Sequence, residues 1–159
     1  MNEGPESEKQ PAPVLVLGVG NILMGDEGIG VRVIESLKES RIPDGVELFD
    51  GGTASLELLS IFSDRRKLIV VDAIKGGQES GAVYRFNFED LTYQREFATS
   101  LHQLGIIDTL SQARILGCLP EEVIIIGVEP ARIAPGLELS PEMTAVMPKV
   151  KEVILKELA

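Results

Sequence analysis

Glu27, Asp72 and the chain's single histidine, His102, are the residues whose types and places suit a divalent metal. Glu27 follows a short apolar run at residues 14–17 that leads into Gly18-Val19-Gly20, and Asp72 closes another at 67–71. Unbroken apolar runs of this length, bounded by turn residues, read as strands buried on both faces of a parallel sheet. In an open parallel sheet, ligands collect outside the carboxyl ends of the strands where the chain order reverses. That point is expected between the first and third strands here. Two carboxylates converging there, with a histidine at a neighbouring loop-to-helix junction, make a three-ligand oxygen and nitrogen set with open coordination positions. This is the pattern of a catalytic rather than a structural metal. Each residue alone has a plainer reading. A first-turn glutamate favours the helix dipole, an aspartate at a strand end caps a turn, and a first-turn histidine faces solvent or caps locally.

Other chemistries fit less well. The one cysteine, Cys118, falls at an expected helix end, where a thiol is a small buried hydrophobe, and the histidine that would activate it is already committed. Gly18-Val19-Gly20 after a strand, with Asp50 ending the next strand, echoes a dinucleotide fingerprint. The third glycine would have to stand at position 23, which is Leu23, and Asp26-Glu27 would meet a pyrophosphate with two negative charges. A divalent ion at the three-residue site would polarise a scissile carbonyl and acidify water, with Asp26 or Asp50 as the candidate base. Paired carboxylates activating water by themselves, as in an aspartic-type endopeptidase, remain the other route.

The elements that must position these groups alternate strand and helix. Apolar residues Ile29, Val33, Ile34 and Leu37 recur at helical spacing, giving a first helix that ends before Pro43, with Asp26 and Glu27 at its favourable end. A second strand over 46–49 closes in Asp50-Gly51-Gly52, and Thr53 is expected to cap a helix burying Leu56, Leu59 and Ile61. The strand at 83–88 follows Asp72 too closely for a helical crossover, so it should run antiparallel at an edge. Ser100 is expected to cap a helix over 101–116 with Leu104, Ile107, Leu110 and Ile115 inward, placing His102 in its first turn. A buried strand at 123–128 and a helix announced by Ser140-Pro141-Glu142 complete the chain. The fold class is therefore α/β: one three-layer domain at 14–159, a mostly parallel twisted sheet of about five strands with one antiparallel edge strand and helices on both faces. Residues 1–13, polar and proline-containing, read as a disordered tail without the apolar core of a signal peptide.

With 25 acidic against 15 basic residues, the formal charge of −10 opposes binding to nucleic acid or anionic lipid. No apolar run approaches membrane-spanning length. A single cysteine provides no disulfide framework, which suits a cytoplasmic protein.

The run Gly18-Val19-Gly20-Asn21-Ile22-Leu23-Met24-Gly25-Asp26-Glu27-Gly28-Ile29-Gly30 is followed by Asp50-Gly51-Gly52-Thr53, Val71-Asp72-Ala73, Ser100-Leu101-His102, Gly127-Val128-Glu129-Pro130 and Leu137-Glu138-Leu139-Ser140-Pro141. In this order they resemble the signature segments of hydrogenase maturation endopeptidases, over essentially everything after the tail. The resemblance implies that Glu27, Asp72 and His102 bind metal. It also implies a cytosolic enzyme that removes a C-terminal extension from the precursor of a NiFe-hydrogenase large subunit once nickel is inserted. Nickel in the precursor would then be the recognition signal, delivered with the substrate. The segment around Glu129, Pro130, Arg132 and 136–140 is either a plain surface loop or a holder of the precursor's C-terminal segment. A nickel sensor or metallochaperone would use the same three ligands without cutting anything. If a thiol takes no part, Cys118→Ala should process precursor at the parental rate; a large loss of rate without unfolding would reinstate a cysteine nucleophile.

Overall fold

The computed structural model describes residues 10–91 and 105–159. Five strands, β1 (Val14–Val19), β2 (Val46–Gly52), β3 (Lys67–Ala73), β4 (Val83–Asn87) and β5 (Glu122–Val128), form one sheet in the order β2-β1-β3-β5-β4. The pairs β1–β2, β1–β3 and β3–β5 are parallel, while β4 lies antiparallel on β5 at the edge. The chain steps from β1 outward to β2 and returns to the other side of β1 as β3, so the switch point falls between β1 and β3.

Alternate side chains of the central strands serve opposite faces, as the period of a strand requires. Leu15, Leu17, Leu68, Val70, Val123 and Ile125 pack with α2 (Leu59–Phe62), α3 (Phe88–Leu91) and α4 (Ile106–Leu116). Val16, Ile69, Val71, Ile124, Ile126 and Val128 pack with α1 (Ile29–Lys38) and α5 (Pro141–Leu158). None of the described helices is long and apolar enough to cross a membrane.

Several expectations need correction. Between Gly52 and β3 there is no regular helix capped by Thr53: a 3-10 turn at Leu56–Leu58 precedes the short α2. Leu58 and Phe62 fill the core there, and Leu56 is exposed, because the tighter turn rotates the buried stripe. The expected cap at Ser100, with Leu104 and the first turn of that helix, lies outside the described residues. Helix α4 is described from Ile106, after Gly105 in a left-handed conformation, and it ends at Gly117, also left-handed. Ile107 and Leu110 face inward as expected, but Ile115 is 83% exposed, and Ala113 fills the last inward place. Most of the N-terminal tail is undescribed; at its end the carbonyl oxygens of Ala12 and Pro13 accept hydrogen bonds from Arg65, Arg66 and Lys67.

What sets the site's geometry is how closely α1 sits on the sheet. A Cβ at Gly30 would lie 2.2 Å from the Val71 carbonyl oxygen and 2.5 Å from that of Val19. At Gly18 it would lie 2.3 Å from the Gly30 carbonyl oxygen. Backbone therefore meets backbone where any side chain would hold the helix away. Gly30→Ala should lower stability by about 1–3 kcal/mol, as overpacking of a filled core does; denaturant unfolding measures it, and a parental midpoint would contradict the close seat.

Candidate active site

A 3-10 turn, Gly25–Gly28, links β1 to α1 and carries Asp26 and Glu27 at the carboxyl end of the sheet. Its start is fixed by Gly20, whose φ of 136° is one that L side chains avoid and whose added Cβ would lie 2.0 Å from the Glu27 carbonyl oxygen. The glycines of this run thus serve close packing of the turn and helix on the strands. A phosphate cradle is not needed to explain them.

Glu27 and Asp72 line one crevice of about 160 Å³, with Val19, Gly20, Asn21, Gly52, Thr53, Ala54 and Ile106 around them. The crevice lies at the switch point, since its walls come from the ends of β1, β2 and β3. Asp72 is buried at 3% exposure, opposite Gly127 of β5 in the sheet register, and its Oδ1 accepts a 2.8 Å hydrogen bond from the Ala73 amide. Burial pushes its carboxyl well above the usual carboxylate range; the Ala73 hydrogen bond pulls back, and the nearby Glu27 charge pushes further up. Together, Glu27 and Asp72 can share a proton or a cation.

Asp26, one residue from Glu27, turns elsewhere. Fully buried, its carboxylate accepts from the Ala131 amide at 3.0 Å, the Arg132 amide at 2.8 Å, the Ser140 amide at 2.7 Å and the Ser140 hydroxyl at 2.8 Å. Burial alone would raise its pKa, but these donors, led by the Ser140 amide, together hold it below the ordinary value. The charge is spent on tying the 131–140 segment to the turn. Ser140 also caps α5, accepting from the Met143 amide, and Pro141 takes the first helical position as expected.

Asp50 is exposed at the end of β2, where its Oδ1 accepts from the Gly52 amide at 2.9 Å; it is not among the residues lining the crevice. His102 lies outside the described residues, and among the described residues no three metal-ligating side chains group together. Cys118 is half-buried against the core beyond α4, away from the crevice lining.

The partners of Glu129 were not visible in sequence. Glu129 Oε2 accepts from the Gly76 amide at 2.7 Å and from the Tyr84 hydroxyl at 2.8 Å, fastening the loop that leaves Asp72. Burial and that bond to Glu129 push the Tyr84 hydroxyl up to about 12. The motif had marked Glu129 as a loop residue; its partner on β4 comes from sheet pairing that no local spacing reports.

The structure is thus an open α/β sheet with two carboxylates in its switch-point crevice, groups whose chemistry suits a proton or a cation. The profile of the family described as "Hydrogenase maturation protease" matches residues 31–157. The chain is 40% identical to the hydrogenase 2 maturation protease of Escherichia coli, over 91% of this chain and 90% of that one. It is 37% identical to the hydrogenase expression/formation protein HupD of Rhodobacter capsulatus, over 78% of this chain but 60% of that longer protein. The solved structure of the E. coli hydrogenase maturating endopeptidase HybD superposes with a TM-score of 0.80 at 39% identity, covering 91% of each chain. The chain belongs to the hydrogenase maturation protease family, and it is an endopeptidase of hydrogenase maturation.

The two aspartates predict opposite pH behaviour in chelator-treated protein. Asp72, with its pKa raised, contributes stability that is present below its unfolded value and lost as pH rises through the folded one. Asp26, with its pKa lowered, contributes stability present above its unfolded value and lost as pH falls through the folded one. Asp72→Asn should therefore raise the unfolding midpoint at pH 7, with the gain fading towards pH 4, whereas Asp26→Asn should lower it at pH 7. No gain from Asp72→Asn at pH 7 would contradict the burial argument.

Proposed function

We propose that this chain removes a C-terminal extension from the precursor of a NiFe-hydrogenase large subunit after nickel insertion, nickel in the precursor serving as the recognition signal. The observation that carries this reading is the joint placement of Glu27 and Asp72 in the switch-point crevice of a hydrogenase maturation protease. His102 is the third ligand. In the sequence it stands four residues before Ile106, which lines the crevice. The cytoplasm is the compartment, in keeping with the lone cysteine.

The donor set fits a divalent cation: two carboxylates, one deeply desolvated, need a positive charge to ionise together. Oxygen and imidazole donors suit nickel or a related ion. A cation held there supplies Lewis acidity to the scissile carbonyl. The chain's own groups do the rest. Glu27 and Asp72 orient the bound end of the substrate, and burial keeps the Asp72 carboxyl largely out of contact with bulk water. Asp50, two residues before Gly52 on the crevice wall, is the candidate base, while Asp26 is the tie that holds the turn.

A second reading of the chemistry is favoured by one observation. Asp72 is buried while Glu27 lines the same crevice, and carboxyls so paired suit an aspartic-type mechanism, in which one holds a proton and the other activates water. Nickel would then act as a positioning handle. Mass spectrometry of a co-expressed large-subunit precursor tests the function: the extension's mass should disappear only with nickel, and Glu27→Gln or His102→Ala should slow cleavage by about 100-fold or more. A precursor that keeps its full length with nickel present would favour a sensor or metallochaperone instead.

A further inference from the structure

Behind the turn that carries Glu27 lies a second and larger hollow, of about 480 Å³, walled by Gly25 and Asp26 on one side and by Arg132, Leu137, Glu138 and Ser140 on the other. Its volume falls in the range of pockets that hold small ligands. The walls are fixed before any ligand arrives. Asp26 grips the amides of 131, 132 and 140, and a parallel bridge joins Met24 to Gly136. In that bridge the Gly25 amide donates to the Gly136 carbonyl at 3.0 Å and the Gly136 amide to the Leu23 carbonyl at 2.8 Å.

The chemistry of the rim is that of a peptide holder. Leu23 and Leu137, on the two bridged segments, are 59% and 61% exposed, an unusual outlay of apolar surface beside a cavity. The Arg132 guanidinium on the wall takes part in no salt bridge among the described residues. Ser140 and Pro141, the cap and first residue of the 18-residue α5, also line the hollow. Asp26 keeps its negative charge while its oxygens are taken up by amides and a hydroxyl of its own chain, and Glu138 is a second acidic group on the wall. In a protein of charge −10, Arg132 is, among the described residues, the one basic residue lining this hollow and the group there that can pair with a carboxylate.

The hollow and the crevice are two sides of one partition. Asp26 lines the first and Glu27 the second, and both belong to the four-residue turn Gly25–Gly28. Crossing one helical turn, about 10 Å wide, takes about three residues of extended chain.

We infer that this hollow is a substrate subsite, holding a stretch of the precursor about three residues from the cleaved bond, with an apolar side chain against Leu23 and Leu137 and a carboxylate at Arg132. The inference rests on the proposed function. It adds the class of sequence that the enzyme reads beyond nickel.

Steady-state cleavage of nickel-loaded precursor by Arg132→Glu and by Leu137→Asp tests it, both changes lying at exposed positions outside the core. Each should raise KM about tenfold, equivalent to about 1.4 kcal/mol, with kcat and the nickel affinity of the free enzyme near parental values. Replacing an acidic residue close to the precursor's cleaved bond by lysine should restore the low KM for Arg132→Glu. Parental KM in both variants, or a loss confined to kcat, overturns the subsite. A parent enzyme that cuts no precursor overturns the proposed function itself, and the subsite with it, so the two failures are distinct.

Discussion

The seat of α1 on the ends of β1 and β3 is the contact on which the rest of the site depends. Gly18 and Gly30 remove the side chains that would keep helix and strands apart, so that backbone carbonyls of Val19, Val71 and Gly30 lie within what would be the radius of a Cβ. The helix therefore begins directly over the switch point. Its preceding turn can hang Glu27 over the end of β3, where Asp72 stands. A helix seated an ångström or two higher would separate the two carboxylates and open the crevice to water. The spacing of the glycine run is thus a packing requirement with a chemical consequence.

Placing two carboxylates in one partly dry crevice is costly, and the surrounding structure offsets it. Asp26 is the main anchor: four donors on one buried carboxylate fix the turn from behind, and charge-assisted bonds of this kind are stronger than neutral ones. Glu129 does the corresponding work on the other side, holding the loop after Asp72 through Gly76 and Tyr84. Between these two anchors the Glu27–Asp72 pair has little freedom to relax apart. An unneutralised pair held in that way is poised to take up a proton or a cation.

Much of this was legible in sequence because it depends on short-range pattern. The apolar runs at 14–17, 67–71 and 123–128 could hardly be anything but buried strands, and the short link from Asp72 to residue 83 left no room for a parallel return. The placing of Glu27 and Asp72 at one crevice followed from strand order alone. The role of Asp26 did not, because its donors lie more than a hundred positions away and arrive only when α5 docks. Residues 53–62 misled for a local reason: the chain tightens into a 3-10 turn, and Leu56 leaves the core while Leu58 and Phe62 enter it. Ile115 continued a helical period into the last turn of α4, where the sheet no longer lies beneath it.

The central claim is that Glu27 and Asp72 act as one cation site rather than as two neighbouring acids. A double-mutant cycle on nickel affinity reads this directly, using isothermal titration calorimetry on the parent, Glu27→Gln, Asp72→Asn and the double variant. If the site is shared, either single change removes most of the affinity and the second adds little, giving a coupling on the order of 1–3 kcal/mol. Additive losses, or an Asp72→Asn protein that binds nickel as tightly as the parent, would contradict the account.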